Sequence, residues 1–163
     1  MQVKNEDQSP WEPEEKINDE HEGVIEHALS ILKSRIRKLD VVSSPKNLIN
    51  YLRLQSSYFK KEKFSLIYLN AKNGVIHAEV VSEGTIDQTA VYPREIVIKC
   101  LEHGATAVIL AHNHPSGDPA PSEHDMKLTK ALKETLKLVN VNVHDHIIIG
   151  DNGYYSFAKN RNM

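Results

Sequence analysis

The chain has 163 residues, 40% of them apolar and 26% charged, with a net charge of −2. This balance is typical of one soluble globular domain with an extension, and it gives no support to a strongly nucleic-acid-binding protein. Cys100 is the only cysteine, which excludes an internal disulfide, so we expect a cytoplasmic protein. No apolar run approaches the roughly 18 residues of a membrane span, so we expect no membrane partner.

The first 22 residues differ in charge from the rest. They contain eight acidic residues and two lysines, so the remainder of the chain carries a net charge of +4. The segment has few aliphatic side chains, and Trp11 is its one residue suited to docking. We therefore predict that residues 1–22 form an acidic, disordered tail.

Two helices are predicted next. An amphipathic helix over residues 23–40 has Leu29, Leu32 and Ile36 on one face, which could pack on the main domain or against a second copy in a homodimer. Ser44 and Pro45 open another helix that runs to about residue 55, because proline is tolerated in the first turn of a helix.

A hairpin and a third helix follow. Residues 64–69 and 75–81 read as strands joined by a turn that contains Asn73 and Gly74, and Asn-Gly between apolar runs is a strong hairpin signal. Pro93 begins a helix that Gly104 ends.

The remaining elements complete a mixed α/β layout. The nearly all-apolar run 105–111 predicts a central strand buried on both faces, and residues 126–139 an amphipathic helix. Strands are predicted over 143–149 and 154–157. The order of elements indicates a curved mixed sheet with helices packed against it.

One segment carries the strongest chemical signal. His112 and His114 are two residues apart, and residues i and i+2 of a strand point to the same face, so both imidazoles can reach one metal ion. A Pro- and Gly-rich loop then reverses the chain, so that the next helix can bring Asp125 back towards them. Two nitrogens and one oxygen would leave a tetrahedral zinc ion with an open position, which is typical of catalytic sites.

The same residues also admit a structural interpretation. Ser122 and Asp125 have the spacing of a helix capping box, with Ser122 as N-cap and Asp125 at the third helical position. We expect both roles together, since a metal-bound Asp at a helix start can still lie near free backbone amides.

The motif resembles that of a known family. His-x-His, seven residues, Ser, two residues and Asp is the metal signature of the JAMM (MPN+) metallohydrolases, and the string AHNHPSGDPAPSEHD is similar to the RadC-type branch, once called DNA-repair proteins. The resemblance covers roughly residues 40–160. It implies a cytidine-deaminase-like MPN fold over residues 41–163, preceded by an N-terminal helical extension, with one zinc ion held by His112, His114 and Asp125. Longer RadC-type proteins carry an N-terminal helix-hairpin-helix-like part, and we expect this chain to resemble only their C-terminal half.

The resemblance also suggests the catalytic residues. JAMM enzymes take a general base from a Glu at an early strand just before a Phe, and Glu62 matches that context best, with Glu83 and Glu95 as competitors. Ser122 resembles the motif's oxyanion donor. Asp145 or His146 could orient a metal ligand, although adjacent strand residues face opposite ways.

Three functions follow from these observations. The leading one is a zinc hydrolase of the JAMM type, a metallopeptidase or isopeptidase acting on a peptide or protein substrate. The second is a DNA-repair-associated or DNA-processing factor, for which the +4 body and the lysines near Glu62 are weak evidence of DNA association. The third is an MPN-fold scaffold with an idle site.

Overall fold

The computed structural model describes residues 19–36, 40–43, 45–58, 61–84 and 91–163. The predicted tail lies outside these ranges up to residue 18. Its last residues, 19–22, belong instead to the first helix, which begins at Asp19 rather than at residue 23. That correction reflects helix propensity, because glutamate and histidine at these positions do not interrupt a helix once it continues into an apolar face.

Nine elements follow one another along the described chain. They are α1 (Asp19–Ile36), α2 (Lys46–Tyr58), β1 (Lys63–Leu69), β2 (Val75–Glu83), α3 (Pro93–Glu102), β3 (Ala107–Asn113), α4 (Glu123–Lys137), β4 (Asn142–Gly150) and β5 (Gly153–Ser156). The predicted helices and strands are all found, with ends displaced by a few residues. Among the described residues, no helix is both long and apolar enough to cross a membrane.

The five strands form one mixed sheet in the order β2-β1-β3-β4-β5. β3 pairs with β4 in parallel, and the other neighbours are antiparallel. The β1–β2 hairpin turns where predicted, and Asn73 adopts a φ of 59°, a left-handed conformation that asparagine tolerates. Every residue of β3 is buried, as expected for a central strand covered on both faces.

Helices cover both faces of the sheet. On one face, Leu48 and Leu52 of α2 pack in a cluster with Ile67 of β1 and Ile109 of β3. On the other face, α3 and α4 pack against alternate residues of the same strands, because strand side chains alternate between faces. This mixed sheet between two helical layers is the α/β layout that the order of predicted elements indicated.

The β3-α4-β4 crossover brings the start of α4 to the end of β3. Parallel neighbours require such a crossover, and the short loop 114–122 leaves the first turn of α4 beside the carboxyl end of β3. Ser122 caps α4 in the predicted capping box with Asp125. The end of β3 and the start of α4 therefore meet at the place where the sequence predicts a metal.

Candidate metal centre

The three predicted metal ligands converge. The Nε2 atoms of His112 and His114 are 2.9 Å apart. Oδ1 of Asp125 lies 3.2 Å from Nε2 of His112, and Oδ2 lies 3.6 Å from Nε2 of His114. Two imidazole nitrogens and one carboxylate thus surround a single point between β3 and α4.

His114 reaches this point from the loop and not from the strand. β3 ends at Asn113, so the expectation that both histidines belong to one strand is wrong for His114. Its backbone N–H still donates to the Ile149 carbonyl at 2.9 Å, which keeps it alongside β4. Its Nδ1 lies 2.8 Å from the carbonyl oxygen of Asp118, so the Pro- and Gly-rich loop fixes the ring by a backbone contact.

A buried chain of hydrogen bonds sets the tautomer of His112. The Thr129 hydroxyl donates to the Asp125 carbonyl at 2.6 Å, and its oxygen lies 2.6 Å from Nδ1 of His146. A hydroxyl has one proton, so Nδ1 of His146 must be the donor. Burial holds the pKa of His146 well below its usual value, which keeps the ring neutral and leaves Nε2 as an acceptor. That atom lies 2.9 Å from Nδ1 of His112, which therefore carries the proton and leaves Nε2 of His112 as a lone pair.

The imidazole of His114 also directs its Nε2 atom into the site. A carbonyl oxygen only accepts, so Nδ1 of His114 carries the proton directed at Asp118 and Nε2 faces the site. Burial lowers the pKa of His112, whereas the interaction with the Asp125 carboxylate raises the pKa of His114. Without a metal, a proton on Nε2 of His114 can be shared with the lone pair of His112, and a cation would replace that proton.

Asp125 is the fully buried anion of the site. Although burial opposes ionisation, the adjacent rings of His112 and His114 hold the pKa of its carboxyl far below the usual range. Oδ2 accepts hydrogen bonds from the backbone N–H and the hydroxyl of Ser122, at 2.7 and 2.6 Å. Ser122 thereby leaves Oδ1 facing His112, and that buried oxygen accepts no hydrogen bond from the described residues.

This donor set fits a zinc ion. Two imidazole lone pairs and an ionised carboxylate oxygen point at one another, an arrangement that repels itself unless a cation lies between them. Ligands about 2.0–2.1 Å from a tetrahedral zinc ion lie about 3.3 Å apart. The two Nε2 atoms are 2.9 Å apart and Nε2 of His112 is 3.2 Å from Oδ1 of Asp125, both close to that separation. His112, His114 and Asp125 are the residues that would hold the ion.

Glu62 lies at the rim of the same site. Oε1 is 3.9 Å from Nε2 of His112, and the side chain is only 15% exposed. The pairing of β1 with β3 explains the position of Glu62. Phe64 of β1 lies opposite His112 of β3, and its ring stacks on that imidazole with 5.9 Å between the ring centroids. Glu62 precedes Phe64 by two residues and so faces the same side of the sheet.

Asn113 holds the backbone on both sides of Glu62. Its Oδ1 accepts from the N–H of Lys63 at 2.9 Å, and its Nδ2 donates to the carbonyl of Lys61 at 3.1 Å. The residue between the two histidines thus ties the end of β3 to the start of β1. This contact orients the Glu62 carboxylate relative to His112.

The competing carboxylates lie elsewhere. Glu83 pairs with Lys63, its Oε2 being 3.3 Å from Nζ, and its side chain is 49% exposed. Glu95 is exposed in the first turn of α3. Asp145 faces away from the metal site, as expected for a neighbour of His146, and accepts hydrogen bonds from Ser156 and Ala158. Burial raises the pKa of its carboxyl.

Thr129 and Asn113 were not predicted to take part. Thr129 lies one helical turn after Asp125, so a polar residue on the inner face of α4 was a usable signal. Asn113 had no comparable signal, because its role depends on which strand pairs with β3. His146 was predicted as a residue that could orient a ligand, and its contact with His112 is the one required for that role.

The mixed sheet, its two helical layers and this donor set define a JAB/MPN-type domain. The model of one family, the RadC-like JAB domain, matches residues 42–163. Since this match covers most of the chain, the chain belongs to the RadC-like JAB family.

Proposed function

We propose that the chain is a zinc-dependent hydrolase that cleaves an amide bond in a peptide, or an isopeptide bond in a protein substrate. The observation that carries the proposal is the convergence of the Nε2 atoms of His112 and His114 on the buried carboxylate of Asp125, with Glu62 beside them. A site with three protein ligands leaves a position for water or substrate. A structural metal site would more often be closed by a fourth protein ligand.

Zinc bound to these residues would supply a Lewis acid and lower the pKa of water to about 7. With Asp125 as the third ligand, Glu62 is suited to accept the proton of the attacking water, because one of its carboxylate oxygens lies within 4.8 Å of the ligand atoms of both histidines. The same group would return the proton to the leaving amine. Asn113 fixes the backbone that carries it.

Ser122 supports the site through Asp125. Its hydroxyl donates to Oδ2 of Asp125 and accepts from the Asp125 backbone N–H. A role as oxyanion donor would require this hydroxyl to turn away from Asp125 when substrate binds. The backbone N–H of Ser122 would still hold Oδ2 in that state.

Exchange of Glu62 for Gln tests the proposal. Glutamine keeps the size and polarity but cannot act as a base, so zinc content and folding should persist. Hydrolysis of a responsive peptide or isopeptide substrate should fall by roughly 100- to 10,000-fold. The matched control is Glu83→Gln, which removes a half-exposed carboxylate that pairs with Lys63.

Full activity in Glu62→Gln together with loss in Glu83→Gln would reassign the base to the end of β2. Absence of hydrolysis by the zinc-loaded wild type on peptide and isopeptide panels would contradict the enzyme proposal and favour a scaffold with an idle site.

A DNA-associated role is the second candidate. Exposed lysines line one side of α4 at Lys127, Lys130, Lys133 and Lys137. Glu123 neutralises Lys127 in part, at 3.5 Å, and the chain is acidic overall, which makes this surface a weak polyanion site. Binding to duplex DNA that weakens steeply with added salt would support this candidate.

A further inference from the structure

A second group of metal-binding side chains lies outside the site described above. His77 and Glu79 are on β2, and His103 caps the end of α3. We refer to these three residues as the β2–α3 cluster. The two β2 residues share one face because they are two positions apart.

The cluster is close-packed and partly open to water. Its three candidate ligand atoms lie within 4.8 Å of one another. The rings of His77 and His103 stack at 4.4 Å with an angle of 22° between their planes. Nε2 of His103 is 3.8 Å from Oε1 of Glu79, and these two side chains are 31% and 25% exposed. A tetrahedral zinc ion needs ligand separations of about 3.3 Å, so the side chains must rotate and draw closer to share an ion.

This cluster is separate from the first site. Tyr68 packs on both of its histidine rings, at 5.9 and 4.5 Å, whereas Phe64 stacks on His112. These two aromatic residues are four positions apart on β1, which is about 13 Å along a strand. Buried apolar side chains such as Leu66 lie on the same face between them. The two clusters cannot share a metal ion.

The Lys99 ammonium group forms an ion pair with the Glu79 carboxylate. Its Nζ lies 3.0 and 2.9 Å from the two oxygens of Glu79, and the Tyr68 hydroxyl donates to Oε1 at 2.8 Å. The Lys99 side chain is 35% exposed, so it can move into solvent without leaving a buried charge. Burial alone would raise the pKa of Glu79, but its contacts with Lys99 and Tyr68 outweigh that effect and lower the pKa. Glu79 is therefore in the anionic form that a metal requires.

We propose that His77, Glu79 and His103 form a second zinc site with an open coordination position, and that Lys99 competes with the ion for Glu79. Two imidazoles and one carboxylate are a donor set that zinc prefers, and three protein ligands leave room for water or an external ligand. The site is weaker than the first, because binding must displace an ammonium group and draw the ligands together. It fills when zinc is added and does not retain the ion through purification.

Zinc stoichiometry tests this proposal. Wild type at dialysis equilibrium with a buffer of known excess zinc should hold two ions per chain above the zinc of the dialysate, by atomic spectroscopy, and His103→Ala should hold one. In a chain that carries His112→Ala and His114→Ala, one ion should remain, and adding His103→Ala should remove it. His27→Ala, which removes an exposed imidazole on α1, is the matched control and should change nothing.

Replacement of Lys99 should have the opposite effect and raise the zinc affinity of the cluster. Lys99→Met keeps the apolar stem and removes the competing charge, so zinc affinity at the β2–α3 cluster should rise by roughly two- to fivefold, the range for losing a half-exposed ion pair. A purely structural cluster would not bind zinc more tightly. The proposal is overturned if zinc-saturated wild type and His103→Ala hold equal zinc, or if Lys99→Met binds zinc no better. Because the double variant lacks the first site, failure of the β2–α3 cluster is distinguishable from failure of the proposed hydrolase.

Discussion

Replacement of His146 tests the buried hydrogen-bond chain behind the proposed metal ligands. His146 is fully buried, with Nε2 2.9 Å from Nδ1 of His112 and Nδ1 2.6 Å from the Thr129 hydroxyl oxygen. Leucine has a similar volume but can neither accept from His112 nor donate to Thr129. The His112 ring would lose the contact that fixes its tautomer and its orientation.

The exchange of His146 for Leu should reduce two quantities, the affinity for zinc and the free energy of unfolding. Loss of a group that orients a metal ligand typically weakens metal binding by 10- to 100-fold, which corresponds to about 1.4–2.7 kcal/mol. The metal-free protein should also lose about 1–3 kcal/mol of unfolding free energy, because the Nδ1–H group of His112 is left buried without an acceptor. All three proposed metal ligands are still present in this variant, so the change in zinc affinity measures how much His146 positions His112.

Zinc affinity is measured by competition with a chromogenic chelator, and stability by urea unfolding of the metal-free protein. His144→Leu is the matched control, since it makes the same exchange on β4 at a residue whose Nε2 contacts Asn73 at 3.0 Å. His144→Leu should retain wild-type zinc affinity. Equal zinc affinities for His146→Leu and wild type would refute the assigned tautomers and the positioning role.

Two further variants separate structure from catalysis. Ser122→Ala removes the N-cap of α4 and one hydrogen bond to Oδ2 of Asp125, so urea unfolding should show a loss of about 1 kcal/mol, and turnover should fall as well. Unchanged kinetics in a destabilised Ser122→Ala protein would leave Ser122 with the structural role alone. Asn113→Ala frees the backbone on both sides of Glu62, so kcat should drop while zinc content stays at the wild-type level; full kcat would show that Glu62 does not depend on this contact.

The sequence was sufficient to predict the secondary-structure elements and the convergence of His112, His114 and Asp125. Hydrophobic periodicity predicted the helices and strands, because each element has one period and one buried face or stripe. Spacing predicted that His112, His114 and Asp125 meet, since a strand, a short loop and a helix start leave few other arrangements. The capping box of Ser122 was equally local.

Features that depend on strand pairing were harder to predict from the sequence. Glu62 could be favoured only by resemblance, because its position beside His112 follows from the register that pairs Phe64 with His112. The Asn113 contacts with Lys61 and Lys63 span about fifty residues of sequence for the same reason. The β2–α3 cluster joins a strand to the end of the next helix, so no local sequence spacing brings His103 to His77 and Glu79.

The zinc content of purified protein tests the central claim most directly. Wild type prepared without chelator should contain one zinc ion per chain by atomic spectroscopy, held by His112, His114 and Asp125. His114→Ala should fold, as judged by circular dichroism, and contain none. A folded His114→Ala protein with the same zinc content as wild type would contradict the assignment of this site.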